Sequence, residues 1–130
     1  MRRAGLVCLV VIGALAGCTR DQAPDSPCPP CPTISFKADI IPIFAANCAI
    51  TGCHDAATDA FSLNLDSAHA YAKATEHGTG NVTPYDANNS LLYTILLSST
   101  ASHMPLNAPQ LPPCEIQAIG CWINQGALNN

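Results

Sequence analysis

Apolar and polar positions divide the chain into blocks of different character. Ala4 to Ala16 is a continuous apolar run behind the positive Met1-Arg2-Arg3. Thr19 to Pro32 (TRDQAPDSPCPPCP) is the reverse, polar and proline-rich, and with no apolar face to bury it reads as an extended spacer. Asp39 then precedes Ile40-Ile41-Pro42-Ile43-Phe44, an apolar segment that runs to Asn47 and reads as the first helix of the folded part. With Asp39 as N-cap, Pro42 falls at the third helical position, where its missing N–H is an orphan in any case. A start at Ser35 would put Pro42 in the helix body and predict a kink.

Further along, Asp66 is placed to cap a short helix over Ser67 to Thr75, stopped by Gly78. Ser90 to Leu97 is apolar nearly all round, which suits a buried helix or a core strand. Asn88, Asn89 and Ser90 are good caps and no partner strand is recognisable, so helix is preferred. The last element has both ends marked. Pro113 suits the first helical position, Glu115 lies where the dipole favours an acid, and Gly126 stops the helix. Between them Ile116, Ile119 and Ile123 repeat on one face, widened by Ala118 and Trp122. The expected fold class is therefore all-α, with about four helices.

The apolar run at the start belongs to targeting rather than to the fold. It ends in Leu15-Ala16-Gly17-Cys18, which resembles the processing site of bacterial lipoproteins. That resemblance implies a signal over residues 1–17, acylation of Cys18, a spacer over 18–33 and a folded domain over 34–130 held at a membrane by its lipid, in the periplasm or at the cell surface. Once residues 1–17 are removed, three basic residues (Arg20, Lys37, Lys73) face nine acidic ones, a formal charge of −6. Such a balance makes nucleic acid an unsuitable partner.

Cys48-Ala-Ile-Thr-Gly-Cys53-His54 sets two thiols and an imidazole within seven residues. In covalently bound haem, two thiols add to the vinyl groups and the adjoining His ligates iron, usually with C-x-x-C-H spacing. Here the spacing is C-x4-C-H, which lengthens the loop but keeps Cys53 and His54 adjacent. The same residues would suit a disulfide or part of a zinc site. A calcium loop does not fit Asp55, Asp59 and Asp66, because the required Gly and Glu positions are not occupied.

The motif resembles that of small bacterial cytochrome c domains with a C-x4-C-H haem site, found in membrane-anchored lipoproteins. Two further stretches, in the expected order, carry the same resemblance. His103-Met104-Pro105 lies in a proline-flanked loop, and Met104 is the one methionine left when Met1 is gone. Trp122-Ile-Asn-Gln-Gly-Ala127 closes the terminal helix. Over residues 34 to 127 the resemblance implies a class I-like domain built around one covalent haem c, held by Cys48 and Cys53. His54 would be the proximal iron ligand and Met104 the distal one. The implied function is electron transfer to a redox partner protein, with no enzymatic constellation.

Eight cysteines leave a remainder. Cys8 goes with the signal, Cys18 with lipid, and Cys48 and Cys53 with haem, so Cys28, Cys31, Cys114 and Cys121 are unassigned. Cys114 and Cys121 share a helix face, but at ~1.5 Å rise per residue their Cα atoms stand roughly 10 Å apart, too far to bridge. Either they pair with the cysteines of the spacer or the thiols stay free. The alternative reading is a haem-free exported lipoprotein, stapled by disulfides or binding zinc through Cys48, Cys53 and His54.

Overall fold

A computed structural model describes residues 27–100 and 102–130. The expected signal over 1–17, Cys18 and the first part of the spacer lie outside them. The described residues are helical and contain no strand, with short helices joined by long loops.

The first helical segment begins at Ser35, not Asp39. Ser35 Oγ accepts from Ala38 N at 3.2 Å, while Asp39 Oδ2 accepts from Ser35 N at 2.7 Å, a reciprocal cap in which Asp39 is the inner partner. Phe36–Ile40 forms a wide π turn, closed by Ile41 N donating to Phe36 O, and runs into α1, Ile41–Asn47. Pro42 thus sits just past a widened turn. Its ring is accommodated by the extra residue in that turn, and the segment continues without breaking.

Asp66 Oδ1 accepts from Ala68 N and His69 N, but in a turn that precedes the helix: regular helix is confined to α2, Ala70–Ala74, with His69 rather than Asp66 at its N-cap. In α3, Leu91–Leu97, Ser90 occupies the N-cap without capping through its hydroxyl. Its fully buried Oγ instead donates to Asp86 O and accepts from Thr83 N. α4, Pro113–Asn124, has the limits expected for it, with Gly126 beyond its end at φ +101°.

α4 is the centre of the molecule. Trp122 is fully buried, and its ring lies 5.0 Å from Phe36, which is in turn 6.2 Å from Phe44 and 5.3 Å from Tyr71. Tyr71 keeps its hydroxyl satisfied by donating to Ala127 O. α3 packs across α4 where Gly120 leaves room for Tyr93, since a Cβ there would stand 2.7 Å from the ring. Tyr85 is largely exposed and lies over Gly126.

Both remaining pairs of cysteines join the proline-rich stretch to α4, Cys28 to Cys114 and Cys31 to Cys121, with Cα separations of 5.2 and 5.7 Å. Two glutamines on α4 and just after it add to this. Gln117 Nε2 donates to Pro29 O, and Gln125 binds Pro32 O and Ile34 N. Asn130 then bonds the backbone of Ile34, Phe36 and Lys37, so the chain's two described ends are clasped together.

Candidate functional site

Cys48 follows α1 directly. Its amide donates to Phe44 O, and the C-terminus of α1 is tied to the start of α4 by Asn47 Nδ2, which donates to Glu115 Oε2 at 3.2 Å. The chain then makes a tight turn in which Cys53 N donates to Ile50 O at 3.0 Å. Gly52 occupies the third turn position at φ +87°, a conformation that suits glycine. His54 N donates back to Cys48 O at 3.1 Å and closes the loop. The two residues in excess of the commoner spacing are absorbed in this turn, and the motif ends bonded to its own beginning.

The next segment folds over the motif. Ala60 N donates to Cys53 O at 3.1 Å, and Leu65 N donates to His54 O at 2.8 Å. Between them the Leu63 carbonyl stands 3.0 Å from His54 Nδ1. A carbonyl oxygen only accepts, so Nδ1 carries a proton, and in the neutral ring the lone pair lies on Nε2. Sequence reasoning had no means of finding Leu63, because the partner is a backbone carbonyl and any side chain would supply it.

Cys48 and Cys53 are the free cysteines among the described residues. The Cys48 thiol is pushed up from 9.0 to about 12, chiefly by burial and then by the Cys53 and Glu115 charges beside it. It therefore stays protonated at neutral pH, a thiol rather than a thiolate. Among the described residues no group of three or more His, Cys, Asp or Glu side chains converges as a metal cluster.

Met104 sits on a different segment. It is half-buried against the same hydrophobic core that Cys48 and Leu63 pack on, and its amide donates to Ile95 O at 3.2 Å. Gln110 Nε2 donates to Leu96 O at 2.7 Å, so the Met104 loop satisfies two carbonyls at the end of α3. Beside it, His103 Nδ1 is buried with no hydrogen-bond partner. His69 and His77 are exposed, and His69 Nδ1 lies 2.9 Å from Asp66 Oδ1.

The structure thus brings Cys48, Cys53 and His54 together in one closed loop and sets Met104 on a separate loop against the same core. By chemistry alone these are the donor types that a covalent haem uses: two unpaired thiols, one imidazole whose Nδ1 is anchored, and one partly buried thioether. Cys18 lies outside the described residues, none of whose helices is long and apolar enough to cross a membrane. No family model, curated protein or solved structure matches this chain.

Proposed function

We propose that the chain is a membrane-anchored monohaem c-type cytochrome that carries electrons in a bacterial envelope. The reading rests on the resemblance of residues 34 to 127 to small lipoprotein cytochrome c domains. The observation that carries it is the division of labour among the cysteines. Four of the six described are consumed in disulfides, leaving Cys48 and Cys53 unpaired beside a histidine whose Nδ1 is held by Leu63 O.

Bound haem supplies one-electron chemistry, and the protein's part is to hold it and set its potential. Cys48 and Cys53 would form the two thioether links. The bond from His54 Nδ1–H to the Leu63 carbonyl fixes the ring and makes Nε2 a stronger donor. Met104 would supply a thioether sulfur, which favours the reduced metal and raises the potential. Cys18 would carry the lipid, and a redox protein would be the partner. No bond is made or broken in a substrate, so the protein is not proposed as an enzyme.

A haem-free lipoprotein, stapled by disulfides or binding zinc through Cys48, Cys53 and His54, is the second reading, and the two disulfides are compatible with it as well. One experiment separates the two. The mature protein, expressed with a competent haem-attachment system, is expected to be red and to keep its haem through denaturing electrophoresis. Cys48→Ser with Cys53→Ser should abolish that retention. A colourless wild-type protein from such a host rejects the cytochrome reading.

A further inference from the structure

The segment that covers His54 carries one side chain the fold does not use. Phe61 is 91% exposed, the most exposed of the large apolar residues among those described. It is at φ 57°, its neighbour Ser62 is at φ 58°, and Asp59, two residues before it, is at φ 44°. Three non-glycine residues in the left-handed region each cost conformational free energy. Burial of the ring does not offset that cost, since the ring is in solvent.

Its position is fixed by the hydrogen bonds on either side. Ala60 N reaches Cys53 O at 3.1 Å, and Leu63 O meets His54 Nδ1 at 3.0 Å. Phe61 therefore borders the Cys53-His54 pair. Ile50, 45% exposed, borders it from within the Cys48–Cys53 turn, where its carbonyl accepts from Cys53 N.

Along the segment that carries these two apolar side chains the formal charge has one sign. Asp55 follows His54 directly, and the half-buried Asp59, whose Oδ1 is enclosed, adds a second acidic side chain, its N donating to Asp55 O at 2.8 Å. Between Lys37 and Lys73 the sequence has no lysine or arginine, and Lys73 already faces Glu76 at 3.5 Å. An exposed apolar centre with an acidic border suits a partner that presents an apolar contact ringed by positive charge. Charge of this kind raises the encounter rate, and the small apolar centre keeps the complex short-lived, as electron exchange requires.

We propose that Ile50, Asp55, Asp59 and Phe61 form the docking surface for a basic redox protein, placed beside the residues that would hold the haem. The purpose given to the surface rests on the cytochrome reading. Its test reads binding rather than electron transfer, so the two can fail separately.

The probe is a lysine-rich, positively charged soluble cytochrome, titrated calorimetrically against the full mature protein over a range of ionic strength. Phe61→Asn keeps a residue that tolerates a positive φ, so weaker binding would not reflect unfolding. It is expected to weaken binding about fivefold or more while leaving the salt dependence unchanged. Asp55→Asn with Asp59→Asn should weaken binding and flatten the salt dependence, because an amide oxygen can still accept from Thr58 N where Asp55 Oδ1 now does. Glu76→Gln removes one equal charge elsewhere and should change affinity less than about twofold.

A red protein whose affinity is unmoved by Phe61→Asn overturns the docking surface alone. So does a Glu76→Gln loss equal to the per-charge loss at Asp55 and Asp59, which would make the attraction one of net charge. A colourless protein overturns the cytochrome reading and removes the surface's electron-transfer role with it.

Discussion

The two halves of this small fold are held together by different means. At the clasped end, α4 meets the proline-rich stretch and the chain terminus through two disulfides, three side-chain amides and a buried Trp122. At the candidate site, the loops around Cys48, His54 and Met104 are joined mainly by backbone hydrogen bonds. That end also holds the strained run Asp59 to Ser62 and, among the described residues, the two buried polar side-chain atoms without partners, on Asp59 and His103. Unpaired buried groups and left-handed backbone both cost free energy. The difference teaches that rigidity has been concentrated where it keeps the frame intact without a cofactor, while the site end is where a bound group has most to add.

The sharpest way to break the comparison is at the frame's centre. Trp122→Ala removes the ring that joins Phe36 to α4 and is expected to cost about 3–5 kcal/mol, read as a lower denaturant midpoint with the site loops lost at the same concentration. If the site loops unfold separately, the two ends are independent rather than frame and dependent.

Disulfide removal comes next. The bridges span 86 and 90 residues, so either one alone closes a long loop worth about 2–4 kcal/mol. Once one has formed, the other closes only the short ring through Cys28 to Cys31 and Cys114 to Cys121. Removing either single bridge should therefore cost much less than removing both, a non-additivity that thermal denaturation of Cys28→Ser/Cys114→Ser, Cys31→Ser/Cys121→Ser and the quadruple variant would read.

At the site end the effects on stability are smaller and those on redox properties larger. Met104→Ala should cost about 1 kcal/mol in the haem-free chain, since the residue is only half-buried. In the haem-loaded protein it should lower the reduction potential and give a new affinity for carbon monoxide. His103→Ala should leave both unchanged. An unaltered spectrum and potential in the Met104 variant would move the ligand elsewhere, with the unpartnered Nδ1 of His103 as the first candidate.

The smallest effect is one of pH. The unfolded Cys48 thiol loses its proton near 9.0, whereas the folded one holds it to about 12. Unfolding thus releases a proton between these values, and the stability of the haem-free chain should fall as pH rises through that window and be unaffected below it. Conversion of Cys48 to a thioether removes the ionisation, so the haem-loaded protein should lack this alkaline decline. A decline of the same size in both forms would assign it to another group.

Much of the frame is determined by the sequence alone. The limits of α4 follow from Pro113, Glu115 and Gly126, and its buried stripe from the spacing of Ile116, Ile119, Trp122 and Ile123, because caps and helical period are local properties. The unpaired state of Cys114 with Cys121 follows from helical rise. The heptapeptide that groups Cys48, Cys53 and His54 is likewise contiguous. Only the tertiary structure decided which cysteines the spacer would meet, since either thiol on α4 satisfies the same local rules. It also decided that helix begins at Ser35, where a π turn makes room for Pro42, and that Leu63 O holds His54 Nδ1 while Phe61 is left in solvent. Those outcomes depend on contacts between segments distant in the chain or on backbone atoms that every residue shares, and neither leaves a mark on residue type.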